Sequence, residues 1–289
     1  MSFHFEGDVV IVTGAGAGLG RRYALDLGAA GARVVVNART RDAADAVVTE
    51  IREGGGTATP AVTDARDGAR LAEVALGEFG RVDALVVNAG SVRDRSFLKM
   101  TAEDWTEVVD VHLGAAYAGC AAVWPHLMAQ RGGSILLTTS GAGLHGNFGQ
   151  ANYAAAKAGV IGLAKSLAVE GARKGVRVNA IAPMAATAMT RDVFDERLTA
   201  ALTPEGVSAV ALALVHRSCP LTGEVVETGG GWASVLRWER SAGARLERPD
   251  PAAVDWAAVT SFHDRSDHPS STADSLAGPM KERTSCPRT

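Results

Sequence analysis

The sequence predicts a single α/β domain of the Rossmann type, built on a doubly wound parallel sheet of about seven strands. Short apolar, β-branched runs recur along the chain and alternate with Ala- and Leu-rich stretches of helical spacing. These runs, such as VVIV at 9–12, carry apolar residues on both faces, as strands buried between two helical layers require. A glycine-rich turn joins the first run to the first helical stretch, which is the arrangement that opens a dinucleotide-binding fold.

The strands and helices follow from these runs in chain order. Apolar runs predict strands at residues 9–12, 33–37, 57–62, 84–87, 134–138, 176–181 and 224–227. The stretches between them predict helices, many ending near Gly, at residues 19–30, 41–53, 67–79, 102–128, 151–174 and 204–215. Strands joined through helices pair in parallel, so the alternation through about residue 230 predicts one doubly wound sheet.

Composition excludes several classes of protein. Of the 289 residues, 47% are hydrophobic, and a formal net charge of -3 offers no basic surface, so no nucleic-acid partner is expected. No run approaches the roughly 18 apolar residues of a membrane span. Three widely spaced cysteines predict neither disulfides nor a metal site, and without a signal sequence at the N-terminus we expect a cytoplasmic protein.

The composition changes after Trp238, and the last twenty-odd residues are rich in Ser, Asp, Pro and Arg. We therefore predict a domain over residues 1–240 and a C-terminal extension over residues 241–289 that is partly mobile. The final residues, 286–289, do not form a peroxisomal address of the Ser-Lys-Leu type.

The turn at residues 13–20, Thr-Gly-Ala-Gly-Ala-Gly-Leu-Gly, predicts a site for the pyrophosphate of NAD or NADP. Glycine lets the chain turn tightly and approach the phosphates closely, and the following helix N-terminus offers free N–H donors. A plain tight turn is the alternative, because the chain contains 33 glycines. The predicted cofactor contacts in this turn are Thr13, Gly14, Gly16, Gly18, Leu19 and Gly20.

The end of the second strand bears on the choice between the two cofactors. An acid there binds the ribose 2′-hydroxyl of NAD, whereas an arginine suits the 2′-phosphate of NADP. Here the strand ends Asn37-Ala38-Arg39, without an acid, so we place Asn37 and Arg39 in the cofactor site and favour NADP over NAD. A solvated surface arginine is the other interpretation of Arg39.

Two further segments follow strands and are predicted at the same sheet edge. Asp64 and Ala65 come after the third strand, where the carboxylate could accept a hydrogen bond from the adenine amine. Asn88, Ala89 and Gly90 come after the fourth strand and bring unhindered backbone beside the cofactor. Both segments could equally consist of ordinary loop and cap residues.

Three side chains predict carbonyl chemistry. Ser140 follows the fifth strand, and Tyr153 and Lys157 lie four residues apart on one face of the next helix. A nearby ammonium favours phenolate, so we predict that Lys157 lowers the pKa of Tyr153 from its usual value of about 10. Tyr153 would then exchange a proton with a carbonyl oxygen as hydride reaches its carbon, while Ser140 holds that oxygen. A purely structural Tyr–Lys pair is the alternative.

Together these motifs resemble the short-chain dehydrogenase/reductase family over about residues 5–240: Thr-Gly-x-x-x-Gly-x-Gly at 13–20, Asn-Ala-Gly at 88–90, Ser140, and Tyr-x-x-x-Lys at 153–157. The resemblance implies NAD(P)-dependent alcohol and carbonyl chemistry and a homodimer or homotetramer built through helices. It also implies that Lys157 binds the nicotinamide ribose and that Pro183 and Thr187 lie beside the nicotinamide.

The runs at 93–97, 111–113, 146–153 and 236–240 are similar to the (3R)-hydroxyacyl-CoA dehydrogenase units of peroxisomal multifunctional enzymes, also called 17-beta-hydroxysteroid dehydrogenase type 4. This implies a 3-hydroxyacyl thioester substrate, with CoA favoured. Carrier-protein, polyketide or steroid ketones are alternatives, and a non-catalytic nucleotide-binding protein is a distant one. His112 stands where most of the family has an Asn that holds a relay water, so it is predicted to hold that water, to orient Lys157, or to be structural.

The chain also departs from that branch. Ala38 stands where the branch usually carries Asp, so the branch's preference for NAD cannot be transferred. Val87 replaces the first Asn of the usual Asn-Asn-Ala-Gly, and Met184 follows Pro183 in place of a Gly. No metal site is predicted, because His263 and His268 have no companion ligands.

Overall fold

An eight-stranded sheet organises the computed structural model, which describes residues 4–187, 195–241, 243 and 254–262. The spatial order of the strands is β3-β2-β1-β4-β5-β6-β7-β8. In chain order they are β1 (Val9–Val12), β2 (Arg33–Ala38), β3 (Thr57–Val62), β4 (Ala84–Val87), β5 (Gly133–Thr138), β6 (Val176–Pro183), β7 (Val225–Gly229) and β8 (Trp232–Leu236).

The first seven strands pair in parallel. Val10 of β1 pairs with Val34 of β2 on one side and with Ala84 of β4 on the other, so the winding reverses between β1 and β4. At such a reversal the connections leave in opposite directions and open a crevice at the carboxyl ends of the strands. The predicted Rossmann-type sheet is confirmed. The sequence did not predict β8, which follows β7 after a two-residue connection and is therefore antiparallel to it.

The helices cover both faces of the sheet. They are α1 (Gly18–Ala29), α2 (Arg41–Glu53), α3 (Gly68–Phe79), α4 (Ala102–Val109), α5 (Ala115–Gln130), α6 (Gly141–His145), α7 (Ala151–Gly171), α8 (Glu196–Ala201), α9 (Pro204–Val215) and α10 (Trp256–Val259). Of these, α6, α8 and α10 were not predicted, because four to six residues are too short to show a helical period. The predicted helix at 102–128 is interrupted by a π-helical segment, Asp110–Gly114.

Apolar side chains from the two faces of the sheet form the core. Every residue of β1 and β4 is buried, which explains the uninterrupted apolar runs VVIV and ALVV. Tyr23 and Leu27 of α1 pack with Val47 of α2 and Val207 of α9 on one face. Helices α3, α5 and α7 pack together on the other. Because helices cover both faces of the sheet, the ends of its strands are held in fixed positions.

The chain divides after Val235 into two units. The second is described only at 236–241, 243 and 254–262, where it contains α10. Most of the predicted extension at 241–289 lies outside the described residues, so its mobility and the boundary at 240 stay predictions. Among the described residues, no helix has the length and apolar character that crossing a membrane requires.

The start of α3 lies directly against α5, and this contact can be tested. A Cβ on Gly68 would lie 2.8 Å from the Gly119 nitrogen and closer still to the backbone of Ala118. Gly68→Ala should therefore lower the free energy of unfolding by about 1–3 kcal/mol, because α3 must move outwards. Urea denaturation followed by circular dichroism measures this change.

Gly77, in the same helix, is the matched control, because a Cβ there would meet no heavy atom within 4 Å. Gly77→Ala should raise the free energy of unfolding by up to about 1 kcal/mol, since alanine favours helix. Equal effects of the two substitutions would contradict the close packing of α3 on α5.

Candidate active site

The predicted functional residues gather at one edge of the sheet, where the parallel strands end. Thr13 follows β1, Asn88 follows β4, Ser140 follows β5 shortly after its end, and Pro183 closes β6. We call this the carboxyl edge. Because β1 and β4 are neighbours, the glycine turn and the Asn88–Gly90 segment lie side by side in the crevice that the strand order predicts.

The glycine turn is locked against the segment that follows β4. Thr13 Oγ1 accepts hydrogen bonds from the backbone N–H groups of Asn88 (2.9 Å) and Ala89 (3.1 Å). Gly14 has φ +62°, and a Cβ on it would lie 2.7 Å from Ala89 Cα. Gly18 is also left-handed, at φ +55°. Side chains are therefore excluded where the backbone must come close, as the sequence predicts.

The N-terminus of α1 has the properties of a phosphate site. The residue before it, Ala17, provides no side-chain cap, and the first turn contains no acid. The first N–H groups of a helix lack partners within the helix and carry partial positive charge, which suits the pyrophosphate of a dinucleotide. The methyl group of Thr187 lies 4.0 Å from the position of a Cβ on Gly18, so Thr187 borders the same turn. The residues present thus fit NAD or NADP.

Asn37 has a supporting position in this site. Its side chain is 1% exposed, and its Oδ1 accepts a hydrogen bond from the Gly14 N–H at 3.2 Å. Its Nδ2 donates to the carbonyls of Ala61 (3.0 Å) and Thr63 (2.9 Å). The amide therefore ties the glycine turn to the end of β3, and the contact of Asn37 with the cofactor stays a prediction.

Arg39 and Asp64 lie near one another at the rim of the crevice. Arg39 is exposed and forms no ion pair with the described residues. Asp64 accepts hydrogen bonds from Arg66 Nε (2.9 Å) and Nη2 (2.8 Å), and this contact, with a smaller contribution from Arg39, lowers its pKa. Arg66 thus fixes the Asp64 carboxylate, while the Arg39 guanidinium remains available to a phosphate. Ala65 is half-buried beside them.

Ser140, Tyr153 and Lys157 come together as predicted. Ser140 begins α6, where its Oγ accepts a hydrogen bond from the Ala142 N–H at 3.2 Å. Tyr153 and Lys157 lie one turn apart on α7, with Lys157 Nζ 5.6 Å from the Tyr153 ring centroid. Lys157 is 4% exposed, and its Nζ donates a hydrogen bond of 2.6 Å to the Thr138 carbonyl.

The predicted lowering of the Tyr153 pKa is wrong: the pKa is raised, and Lys157 is not among the groups that shift it. Burial raises the pKa of Tyr153, and a hydrogen bond with Ser140 offsets only part of that rise. Burial also lowers the pKa of Lys157 to about 7. Desolvation is thus the largest influence on both groups, as expected for side chains removed from water. Tyr153 is therefore held in its protonated form, the form that can give a proton to a carbonyl oxygen.

His112 lies against Tyr153 in the π-helical segment, a type of distortion that is frequent at functional sites. The two rings meet edge to face, with centroids 4.9 Å apart. His112 Nε2 lies 2.7 Å from the Ser91 carbonyl oxygen and 3.3 Å from the Ser91 nitrogen, and we assign the hydrogen to Nε2 from the shorter contact. The buried Nδ1 has no partner among the described residues. Burial, then the charge of Lys157, lowers the pKa of His112 to about 3.

His112 is therefore neutral near pH 7, which fits each of the three predicted roles: holding a water, orienting Lys157, or a structural role. The ring occupies the space beside Gly90, where a Cβ would lie 2.9 Å from His112 Nδ1. Glycine is thus required at position 90.

Two groups in the site were not predicted. The Thr138 carbonyl holds Lys157, and a backbone oxygen has no sequence signal. Asn152 is fully buried beside Tyr153, and a single Asn at the start of a helix shows no distinctive pattern. No cluster of three or more His, Cys, Asp or Glu side chains in the described part of the chain could hold a metal ion.

Comparison with known proteins gives consistent matches. A family model described as short chain dehydrogenase matches residues 8–198. The chain is 42% identical to peroxisomal multifunctional enzyme type 2 of Mus musculus, over 95% of this chain and 39% of that protein. The full-length structure of the Drosophila melanogaster enzyme of that name aligns with a TM-score of 0.84 and 39% identity, over 96% of this chain and 49% of that one. A 3-oxoacyl-acyl-carrier-protein reductase of Synechocystis sp. is 42% identical, over 77% of this chain and 96% of that protein. The chain thus spans less than half the length of the two multifunctional enzymes.

The buried position of Lys157 predicts a specific dependence of stability on pH. With a pKa of about 7 in the folded state and a usual value near 10.5, the unfolded chain binds a proton between these values that the folded chain does not. The contribution of Lys157 to the free energy of unfolding therefore rises with pH from 7 to about 10.5.

Lys157→Met removes the titrating amine. The free energy of unfolding of the variant minus that of the wild type should therefore be larger at pH 7 than at pH 9.5. Urea denaturation of both proteins at the two pH values measures the difference. Lys165→Met, at a partly buried lysine whose Nζ donates to the Gly223 carbonyl, serves as the control. A difference that does not change with pH would contradict the low pKa of Lys157.

Proposed function

The chain belongs to the short-chain dehydrogenase family, and we propose that it interconverts a 3-hydroxyacyl thioester, with CoA favoured, and its 3-oxoacyl form. As a member of that family it is an oxidoreductase that uses NAD(P). The observation that carries the proposal is the convergence of Ser140, Tyr153 and Lys157 at the carboxyl edge beside the glycine turn. Similarity to the multifunctional enzymes over nearly the whole chain supports the CoA thioester. A carrier-protein thioester is the second candidate, supported by a relative that matches a smaller share of the chain.

The chain's own residues account for the proton chemistry. Ser140 lies close enough to Tyr153 to lower the pKa of its phenol, and the two hydroxyls can hold one substrate oxygen between them. Tyr153, kept protonated by burial, gives its proton to that oxygen in the reductive direction. When bound, the nicotinamide cofactor supplies or accepts the hydride. Lys157, whose Nζ donates to the Thr138 carbonyl, binds the nicotinamide ribose in this proposal, and the unpartnered Nδ1 of His112 supports the role of a water acceptor.

We favour NADP as the cofactor. Ala38 at the end of β2 leaves no acid to bind a ribose 2′-hydroxyl, and it packs against the turn, 3.1 Å from where a Cβ on Gly16 would lie. Arg39 follows it, exposed and without an ion pair among the described residues. An exposed, unpaired guanidinium at this position suits a 2′-phosphate.

We also propose a cytoplasmic location and assembly into a homodimer or homotetramer. The described cysteines, buried Cys120 and half-buried Cys219, are free thiols, which fits a reducing compartment. Tyr117 on α5 and Val169 on α7 are exposed apolar side chains on Ala-rich helices, which fits close packing against a second copy.

The first test of the function measures oxidation of NADPH and of NADH with acetoacetyl-CoA. Tyr153→Phe should lower kcat by at least about 100-fold, because it removes the proton donor, while the dissociation constant for the cofactor stays within about twofold of wild type. Turnover retained by Tyr153→Phe would contradict the role of Tyr153. Turnover with the matching carrier-protein thioester and not with the CoA thioester would favour the second candidate.

The second test concerns cofactor choice. Arg39→Ala should raise the KM for NADPH by about 10- to 100-fold and leave the KM for NADH nearly unchanged, because one charged hydrogen-bonding group contributes about 1.5–3 kcal/mol. Arg41→Ala is the matched control. Arg41 is exposed, and its Nη1 lies 3.6 Å from Oδ1 of Asp45 within α2. Equal effects of Arg39→Ala on both cofactors would contradict recognition of a 2′-phosphate by Arg39.

A further inference from the structure

Asn152, the residue before Tyr153, is 0% exposed although it carries a primary amide. A buried amide must satisfy its donors and its acceptor within the protein, because each unpaired buried group costs about 1–3 kcal/mol. Asn152 lies in the first turn of α7, where backbone N–H groups have no partner within the helix. Its side chain can therefore accept a hydrogen bond from one of these N–H groups, at the start of the helix that carries Tyr153 and Lys157.

The amide of Asn152 joins three segments of the chain. Its Oδ1 accepts a hydrogen bond of 2.8 Å from the Tyr153 N–H. Its Nδ2 donates to the carbonyl of Asp104 in α4 at 3.0 Å and to the carbonyl of Arg93, in the loop after β4, at 3.3 Å. Both amide hydrogens and the amide oxygen are thus used, and each bond fixes backbone next to the site.

Two more contacts extend the same connection at the surface. The Arg95 N–H donates to the Gly149 carbonyl at 2.8 Å. Gln150 Nε2 donates to Asp94 Oδ2 at 2.9 Å, and Asp94 contributes to the raised pKa of Tyr153. The loop after β4 therefore runs along the start of α7, and Asn152 is the buried member of the contacts that hold it there.

We propose that Asn152 is a positioning residue for Tyr153: it sets where α7 begins relative to α4 and the loop after β4, and so fixes the phenol against Ser140. The proposal rests on the proposed function, because it assigns to Tyr153 the proton transfer. Displacement of a reacting group by about 1 Å can cost about 100-fold in rate, so loss of this anchor affects kcat more than binding.

The test uses the full-length protein with two substitutions. Asn152→Ser is too short to reach both carbonyls, and Asn152→Asp keeps the size and the acceptor but replaces the Nδ2 donor by oxygen. We expect both variants to lower kcat about 10- to 100-fold with acetoacetyl-CoA. The dissociation constant for NADPH should stay within about twofold of wild type, since the glycine turn is untouched. Asn147→Asp is the matched control, because Asn147 is exposed and its amide bonds only Gln150 among the described residues.

A second readout does not depend on substrate. The chain contains three tyrosines, Tyr23, Tyr117 and Tyr153, so tyrosine labelled with ¹³C at Cζ gives three signals, assigned with Tyr153→Phe and Tyr117→Phe. Asn152→Ser should move the Tyr153 signal and leave the other two in place, whereas Asn147→Asp should move none. A residue that contributes only to global stability would leave all three signals of the folded protein unchanged.

The outcomes separate the two proposals. Loss of kcat together with a displaced Tyr153 signal supports the positioning role. An unmoved Tyr153 signal in both variants overturns it, as does a kcat within twofold of wild type in a folded variant. If the wild-type protein does not turn over acetoacetyl-CoA, the proposed substrate fails, and the ¹³C signal alone decides the role of Asn152.

Discussion

The parallel pairing of β1 with β4 is the contact on which the site depends. It reverses the winding of the sheet, so the connections that leave the two strands separate and open a crevice. It also brings the Thr13 hydroxyl within hydrogen-bond distance of the backbone of Asn88 and Ala89. A side chain at position 14 would collide with Ala89, so β1 and β4 can pair in this way only if residue 14 is glycine. Register in the centre of the sheet therefore fixes the geometry at its edge.

Burial then determines the chemistry of that edge. Tyr153, Lys157 and His112 all lie where water is scarce, and in each case desolvation is the largest influence on the pKa. Burial favours the neutral form of each group. Tyr153 keeps its phenol proton, the pKa of the Lys157 amine falls to about 7, and the His112 imidazole remains uncharged. The cluster thus contains a proton donor and an acceptor without a permanent ion pair. Backbone carbonyls of Thr138 and Ser91 orient the amine and the imidazole, so strand and loop geometry control the side chains.

The sequence predicted the parts that leave a repeated pattern. The apolar runs located all seven parallel strands to within two residues at each end, because burial between two helical layers demands such runs. Motif spacing located Ser140, Tyr153 and Lys157, because a helical turn fixes i and i+4 on one face. What it did not predict depends on packing: strand β8, the π-helical segment around His112, the carbonyl at Thr138 and the anchor at Asn152. The pKa of Tyr153 was predicted in the wrong direction because a neighbouring charge is visible in sequence, whereas the depth of burial is not.

The residues of the candidate site and the exposed apolar side chains around them lie on different parts of the structure. Ser140 follows β5, and Tyr153 and Lys157 lie on α7, which packs against β5 and β6. Around them, Phe97, Leu98 and Phe148 are strongly exposed on the loop after β4 and the loop before α7. These two loops are joined to each other by the Arg95–Gly149 contact and to α7 by Asn152. Their exposed tips can therefore differ in side chain without moving Tyr153, provided that the hydrogen bonds at their base are kept. In the proposed function, the exposed tips would select the substrate and α7 would carry the proton donor, and the hydrogen bonds of Asn152 tie the loop after β4 to the first turn of α7.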